Sequence, residues 1–192
     1  MIAEALVFLV STIVGLFSLA LLLRFYLQLA RAPARNPISH FVVALTDPIV
    51  RPARRIIPGW GGIDLSTLVL AWLSEFLLLV LVRVIEMAFL GAGSMPVVTF
   101  LVLAALSIVR MSVYLLIGAL IVQAVLSWVA PHSPVAPLVN GLVRPFLRPF
   151  QRWNLNIGGV DLSPLVLIIV LQLILMIPVR WLEGMVRYVL GG

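Results

Sequence analysis

The chain has 192 residues, 63% of them hydrophobic and only 10% charged, with 13 basic side chains against 7 acidic ones and a net charge of +6. Its mean hydropathy of +1.22 excludes an ordinary soluble domain and points to an integral membrane protein. The absence of cysteine excludes disulfides and thiolate metal sites.

The first apolar run, Ala5–Leu23, is 19 residues without a charge, close to the ~20 that cross about 30 Å of hydrocarbon as a helix. It is too long for a signal peptide, and Met-Ile-Ala-Glu lacks the basic start of one, so it is expected to be a retained span. A connection rich in arginine and proline follows. In it Asp47-Pro48 reads as an N-cap with proline at the first helical position, opening a short, kinked or two-turn helix that lies in the membrane plane. Arg51 and Arg55, four apart, share one face of that helix. Gly61 and Gly62 then permit a turn back to the membrane, and Asp64 or Ser66 caps the next helix.

Leu65–Val82 is the second span, interrupted only by Glu75, which lies about 16 Å along the helix from Asp64 and so near the bilayer centre. Two readings of Glu75 stand. It is an intramembrane proton or cation site, or a protonated carboxyl that joins spans by hydrogen bonding to Gln172, Ser74 or Ser18. Beyond Arg83 the apolar stretch Met95–Val109 is short for a span of its own, and three readings stand: interfacial, re-entrant, or part of the third span. Met111–Ala130 is the third span. A second arginine and proline connection carries Arg148 and Arg152, Gly158-Gly159 marks its turn, Asp161 or Ser163 is the expected cap, and Leu162–Val179 is the fourth span.

The second half repeats the first. Residues 37–86 align without a gap to 134–183, with 19 of 50 positions identical. Pro48, Arg51, Pro52, Arg55, Gly61 and Gly62 are among the identities, as are Asp64, Ser66, Arg83 and Glu86, so a shared taste for aliphatic residues does not explain the match. Residues 1–90 and 91–192 are therefore expected to be two tandem units of two spans each. An even number of spans per unit returns the chain to its starting side, so the copies are parallel. The expected fold is all-α, with four transmembrane helices and one Pro/Arg-rich interfacial helix inside each unit. Nine of the 13 arginines fall in or beside the two long connections, which the positive-inside rule places in the cytoplasm with both termini outside.

With no lysine anywhere, the four arginines Arg51, Arg55, Arg148 and Arg152 have two readings. They are topology signals alone, or guanidinium forks for phosphate groups of anionic lipid or a protein partner. The chain holds no HExxH, P-loop, GxSxG or dinucleotide fingerprint, and its two histidines, His40 and His132, do not align in the repeat. No enzyme, cofactor or metal reading is supported, and the net charge needs no nucleic-acid partner once topology has used it.

The paired segments Asp47-Pro48…Arg51-Pro52…Arg55…Gly61-Gly62-Ile63-Asp64-Leu65-Ser66 and Pro145…Arg148-Pro149…Arg152…Gly158-Gly159-Val160-Asp161-Leu162-Ser163-Pro164 resemble the hallmark of the YggT family, also called YlmG. Copy two departs from that text where Arg144 replaces the acid before proline and Leu155 stands in place of Pro58. The resemblance covers nearly the whole chain and is to the two-copy proteobacterial form. It implies a multi-pass inner-membrane protein without established enzymatic activity, linked to tolerance of osmotic stress and potassium limitation, and in the YlmG branch to division-gene neighbourhoods and plastid membrane organisation. A small potassium or proton-coupled transporter or channel component using Glu75, possible only if partners or further copies complete a path, is the alternative.

Overall fold

The computed structural model describes residues 1–30, 36–57, 59, 64–130, 132–152, 156–157 and 160–190. Four helices are long and apolar enough to cross a membrane: α1 (Ile2–Leu29), α3 (Leu65–Leu90), α4 (Val97–Val129) and the continuous helical run Ser163–Leu190. That last run comprises α6 (Ser163–Ile174), a π-helical turn (Leu175–Val179) and α7 (Arg180–Leu190). Two amphipathic helices, α2 (Pro37–Ile56) and α5 (Ala136–Gln151), lie between the members of each pair of spans. The remaining regular structure is a ladder of two-residue strands, β1 (Asn156–Ile157) and β2 (Val160–Asp161), paired antiparallel.

The in-plane helices are longer than the expected two turns. Asn36, not Asp47, is the N-cap of α2: its side chain accepts from the Ser39 amide at 2.9 Å and Pro37 takes the first helical position. The helix then runs 20 residues with Pro48 and Pro52 inside it. Proline removes a bond to the carbonyl four residues back, here those of Ala44 and Pro48. Both prolines and Ala44 lie on the exposed side of α2, where solvent takes up the freed carbonyls, so the helix continues through them. Pro145 and Pro149 stand equally exposed within α5.

The stretch around Met95–Val109 is likewise neither interfacial nor re-entrant. Gly91, at φ 65°, ends α3 in the left-handed conformation. From Val97 one helix of 33 residues runs to Val129 and contains Arg110 well inside it. No proline or glycine between Val97 and Arg110 stops the helix, and tertiary contacts hold the segment. Thr99 Oγ1 donates to the Leu190 carbonyl at 2.6 Å, and the Trp72 indole N–H donates to the Leu101 carbonyl at 3.2 Å.

Packing proceeds along the neighbour series α1, α3, α4, α6, with α1 against α3 the most extensive pairing. Three apolar clusters hold it. Leu21, Leu22, Val50, Ala71 and Ile108 join α1, α2, α3 and α4. Leu27 with Leu138, Val139 and Leu142 ties α5 to the end of α1. Leu116, Leu120, Val143, Leu147, Leu167 and Leu171 form the core of the second unit. Small buried groups at Ser18, Ala20, Ala71 and Ala104 let these helices approach closely, as membrane packing requires.

Candidate functional site

The four arginines singled out by the sequence sit at one end of the bundle, on α2 and at the end of α5, but the structure treats the two units differently. On α2, successive residues turn about 100° and divide the helix into three faces. Ser39, Val42, Thr46 and Val50 are buried inward. Phe41, Leu45 and Ile49 form an exposed apolar stripe. His40, Asp47, Arg51 and Arg55 line the polar side between them. A helix with an apolar stripe exposed beside a charged one fits the membrane–water boundary.

Asp47 organises that polar side. It accepts from Arg24 Nη1 at 2.8 Å through Oδ1 and from Arg51 Nη2 at 2.8 Å through Oδ2. Arg24 is buried within α1 and also donates to Thr46 Oγ1 at 2.7 Å. The Arg24 hydrogen bond, its charge and that of Arg51 outweigh the cost of desolvation and hold the Asp47 carboxyl below its ordinary range. Arg24, counted from the sequence only as a topology signal, is thus the tie between the first span and its in-plane helix.

Asp64 makes a second tie. It occupies the N-cap position of α3, but its carboxylate accepts from Arg54 Nε at 3.2 Å and from the Ser66 hydroxyl instead of the helix amides. Its backbone carbonyl accepts from Thr67 Oγ1 at 2.8 Å. Burial draws the Asp64 carboxyl upward, and the bonds from Arg54 and Ser66 overcome this and hold it low. Asp64 and Ser66 therefore bind each other and Arg54, a role distinct from the expected side-chain cap. Ser163 is buried in the first turn of α6, whose N-cap residue is Leu162 without a side-chain cap bond. Gly61, Gly62, Gly158, Gly159 and the Asp161 side chain lie outside the described residues.

Among the described residues of the second unit no such neutralisation is found. Arg144 stands where Asp47 stands in the first, and Gln151 replaces Arg54. The first span is tied to its in-plane helix by a neutral pair, Gln123 Nε2 donating to Asn140 Oδ1 at 2.9 Å. Arg144, Arg148 and Arg152 fall four apart along the exposed side, and among the described residues none has an ion-pair partner. On the adjoining side of the helix, Pro145 and Pro149, with Phe146 and Phe150 beyond them, wall an apolar cavity of about 600 Å³ together with α4 and α6. An arginine ridge with no ion-pair partner among the described residues, beside an apolar cavity, is a feature the sequence did not disclose: Arg144 stood out there only as a departure from the acid before proline, not as a member of a row with Arg148 and Arg152.

The intramembrane polar residues are separated. Glu75 is only 4% exposed and faces Ser18 of α1 closely enough to interact with it, while Arg110 acts on it from α4. Neither Glu75 Oε1 nor Ser18 Oγ completes a hydrogen bond of normal length. Gln172, the other expected partner, is exposed on α6 and does not meet Glu75. It lines a groove of about 570 Å³ with Arg110, Tyr114, Arg180 and Glu183. Arg110 itself donates to Glu183 and Ser107. Among the described residues no cluster of three His, Cys, Asp or Glu gathers.

Four apolar spans, with an amphipathic helix inserted in each pair, define a multi-pass helical membrane protein built from two tandem copies of a hairpin unit. The CCB3/YggT family model matches it over residues 3–85 and again over 102–182, and the chain belongs to that family. It is 40% identical over 183 residues to the uncharacterized protein PA0392 of Pseudomonas aeruginosa, covering 94% of this chain and 91% of that one. It is 41% identical over 167 residues to an uncharacterized protein encoded in the proC 3' region of Vibrio alginolyticus, covering 86% and 88%. With the uncharacterized protein YggT of Escherichia coli K12 it shares 37% over 174 residues, covering 89% and 87%. No solved structure matches the chain.

Proposed function

We propose that this protein is a non-enzymatic organiser of the bacterial inner membrane, contributing to osmotic stress tolerance, whose in-plane helices hold anionic phospholipid at the cytoplasmic surface. The observation that carries the reading is α5: a row of exposed arginines without carboxylate partners among the described residues, beside an apolar cavity lined by Pro145, Phe146, Pro149 and Phe150. Guanidinium groups bind phosphate oxygens bidentately, and the neighbouring cavity takes part of an acyl chain. Arg148 and Arg152 hold the head group with Arg144. Arg55 offers a second contact on α2, where Arg51 is already shared with Asp47. The arginine distribution places these helices in the cytoplasm and both termini in the periplasm.

A second reading rests on Glu75, a carboxyl in mid-span with one oxygen lacking a hydrogen bond, which would serve as a proton or cation site. The two separate in one experiment. A strain lacking the protein is complemented with wild type, Glu75→Gln, or alanine at Arg51, Arg55, Arg148 and Arg152, at matched membrane levels under osmotic stress. Loss of growth only with the arginine variant supports lipid organisation, and loss only with Glu75→Gln supports an ion path.

A further inference from the structure

The last span carries a face that no described residue of the chain covers. Leu165, Ile169, Gln172 and Met176 follow a 4-3-4 spacing and form one seam along α6 and the π-helical turn. All four are exposed, the three apolar ones more than half. Their counterparts in the first unit, 97 positions earlier, are Leu68, Trp72, Glu75 and Leu79, and these are partly or wholly buried. There neighbouring helices cover them: Leu68 and Trp72 pack on the cluster of Leu21, Leu22, Val50, Ala71 and Ile108, Trp72 bonds the Leu101 carbonyl of α4, and Glu75 faces Ser18 of α1. The repeated unit thus presents the same seam twice, and among the described residues only the first is covered by neighbouring helices.

Gln172 is what separates this seam from an ordinary lipid-facing surface. It lies nine residues from Ser163, about 14 Å along the helix, and so at mid-span. It makes no hydrogen bond among the described residues. A primary amide facing hydrocarbon at that depth is unfavourable and drives helices together through side-chain hydrogen bonds.

We infer that a second copy of this chain covers the seam, in a parallel twofold dimer with Gln172 of each copy bonded to Gln172 of the other. An amide carries both donor and acceptor, so two glutamines across a twofold axis satisfy each other reciprocally. Two copies of one sequence insert in the same sense, so across a twofold axis along the membrane normal their Gln172 side chains meet at the same depth. The groove of about 570 Å³ beside Gln172, Leu173 and Met176 gives room for the partner's side chains, as an isologous contact requires.

The test uses the full chain in liposomes of Escherichia coli polar lipid, with its natural absence of cysteine as background. Single cysteines are introduced as Met176→Cys on the seam and Ile174→Cys on the opposite side of the same helix, then treated with a short bismaleimide. Stoichiometry is read in parallel by single-molecule photobleaching across protein-to-lipid ratios. Met176→Cys is expected to give dimers and Ile174→Cys monomers, and Gln172→Leu to weaken dimerisation several-fold. Gln172 is exposed and makes no internal bond, so this substitution leaves the monomer's packing intact. Monomers at every ratio, cross-linking through Ile174→Cys in preference to Met176→Cys, or dimers indifferent to Gln172→Leu each overturn the assignment.

Discussion

Arg110 Nη1 donates to Glu183 Oε1 at 2.8 Å, joining residues 73 positions apart and locking α4 to α7. Glu183 is mostly buried and Arg110 about one-third exposed. The pair lies between the surface case, worth little, and the fully buried case, where removing one partner leaves an uncompensated charge. Glu183→Gln is expected to lower stability by about 1–2 kcal/mol, and Arg110→Met with Glu183→Leu to restore part of it. Thermal unfolding of the four corners of this cycle in detergent micelles checks the expectation.

Pro178 has no N–H and clashes with the carbonyl of Ile174, and the helix answers with the π-helical turn at Leu175–Val179. Its repeat counterpart is Leu81, within an uninterrupted α3. Pro178→Leu is expected to restore α-helical register and rotate α7 away from Arg110. Its cost should then be non-additive with that of Glu183→Gln, because both remove the same contact. Fully additive unfolding shifts would count against this.

Asp47 joins α1 to α2, so its titration is coupled to folding. Its folded pKa lies below the ordinary 3.8, which means its contribution is fully present above that value and is lost as pH falls from about 3.8 through the folded value. Asp47→Asn is expected to be clearly less stable than wild type at pH 7. The difference should shrink as pH is lowered below about 3.8, as read from unfolding midpoints between pH 7 and pH 3.

Glu75→Gln keeps shape and polarity beside Ser18 and is expected to leave stability within about 0.5 kcal/mol of wild type. Glu75→Ala empties a buried site between α1, α3 and α4 and is expected to cost about 1–3 kcal/mol. The comparison is made by unfolding in micelles, and a large loss with Glu75→Gln would show that the carboxyl, not its volume, holds the helices.

The spans were readable from the sequence because uninterrupted apolar length is a direct requirement of the bilayer, and the duplication because its identities fall on proline, glycine, arginine and aspartate. Helix starts were harder. Asp47-Pro48 has the chemistry of a cap, yet Asn36-Pro37 has it too and comes first, and nothing local tells that a helix passes through Pro48 on its solvent side. The continuity of α4 depends on Thr99 reaching Leu190 and Trp72 reaching Leu101, contacts whose partners are far away in sequence. The arginines divided in the same way. Their positions were evident, but that Arg24, Arg51 and Arg54 are occupied by Asp47 and Asp64, while Arg144, Arg148 and Arg152 have no such partner among the described residues, depends on the folded arrangement of both units.

The length of α4 has a mechanical consequence. Its 33 residues span about 50 Å at 1.5 Å each, against a hydrocarbon thickness of about 30 Å, and its only charged residue is Arg110. A helix so mismatched meets its surroundings by tilting or by thickening the lipid around it. Stretching the membrane thins it, so lateral tension acts on the angle of α4, and through Trp72 and Glu183 on both hairpins at once.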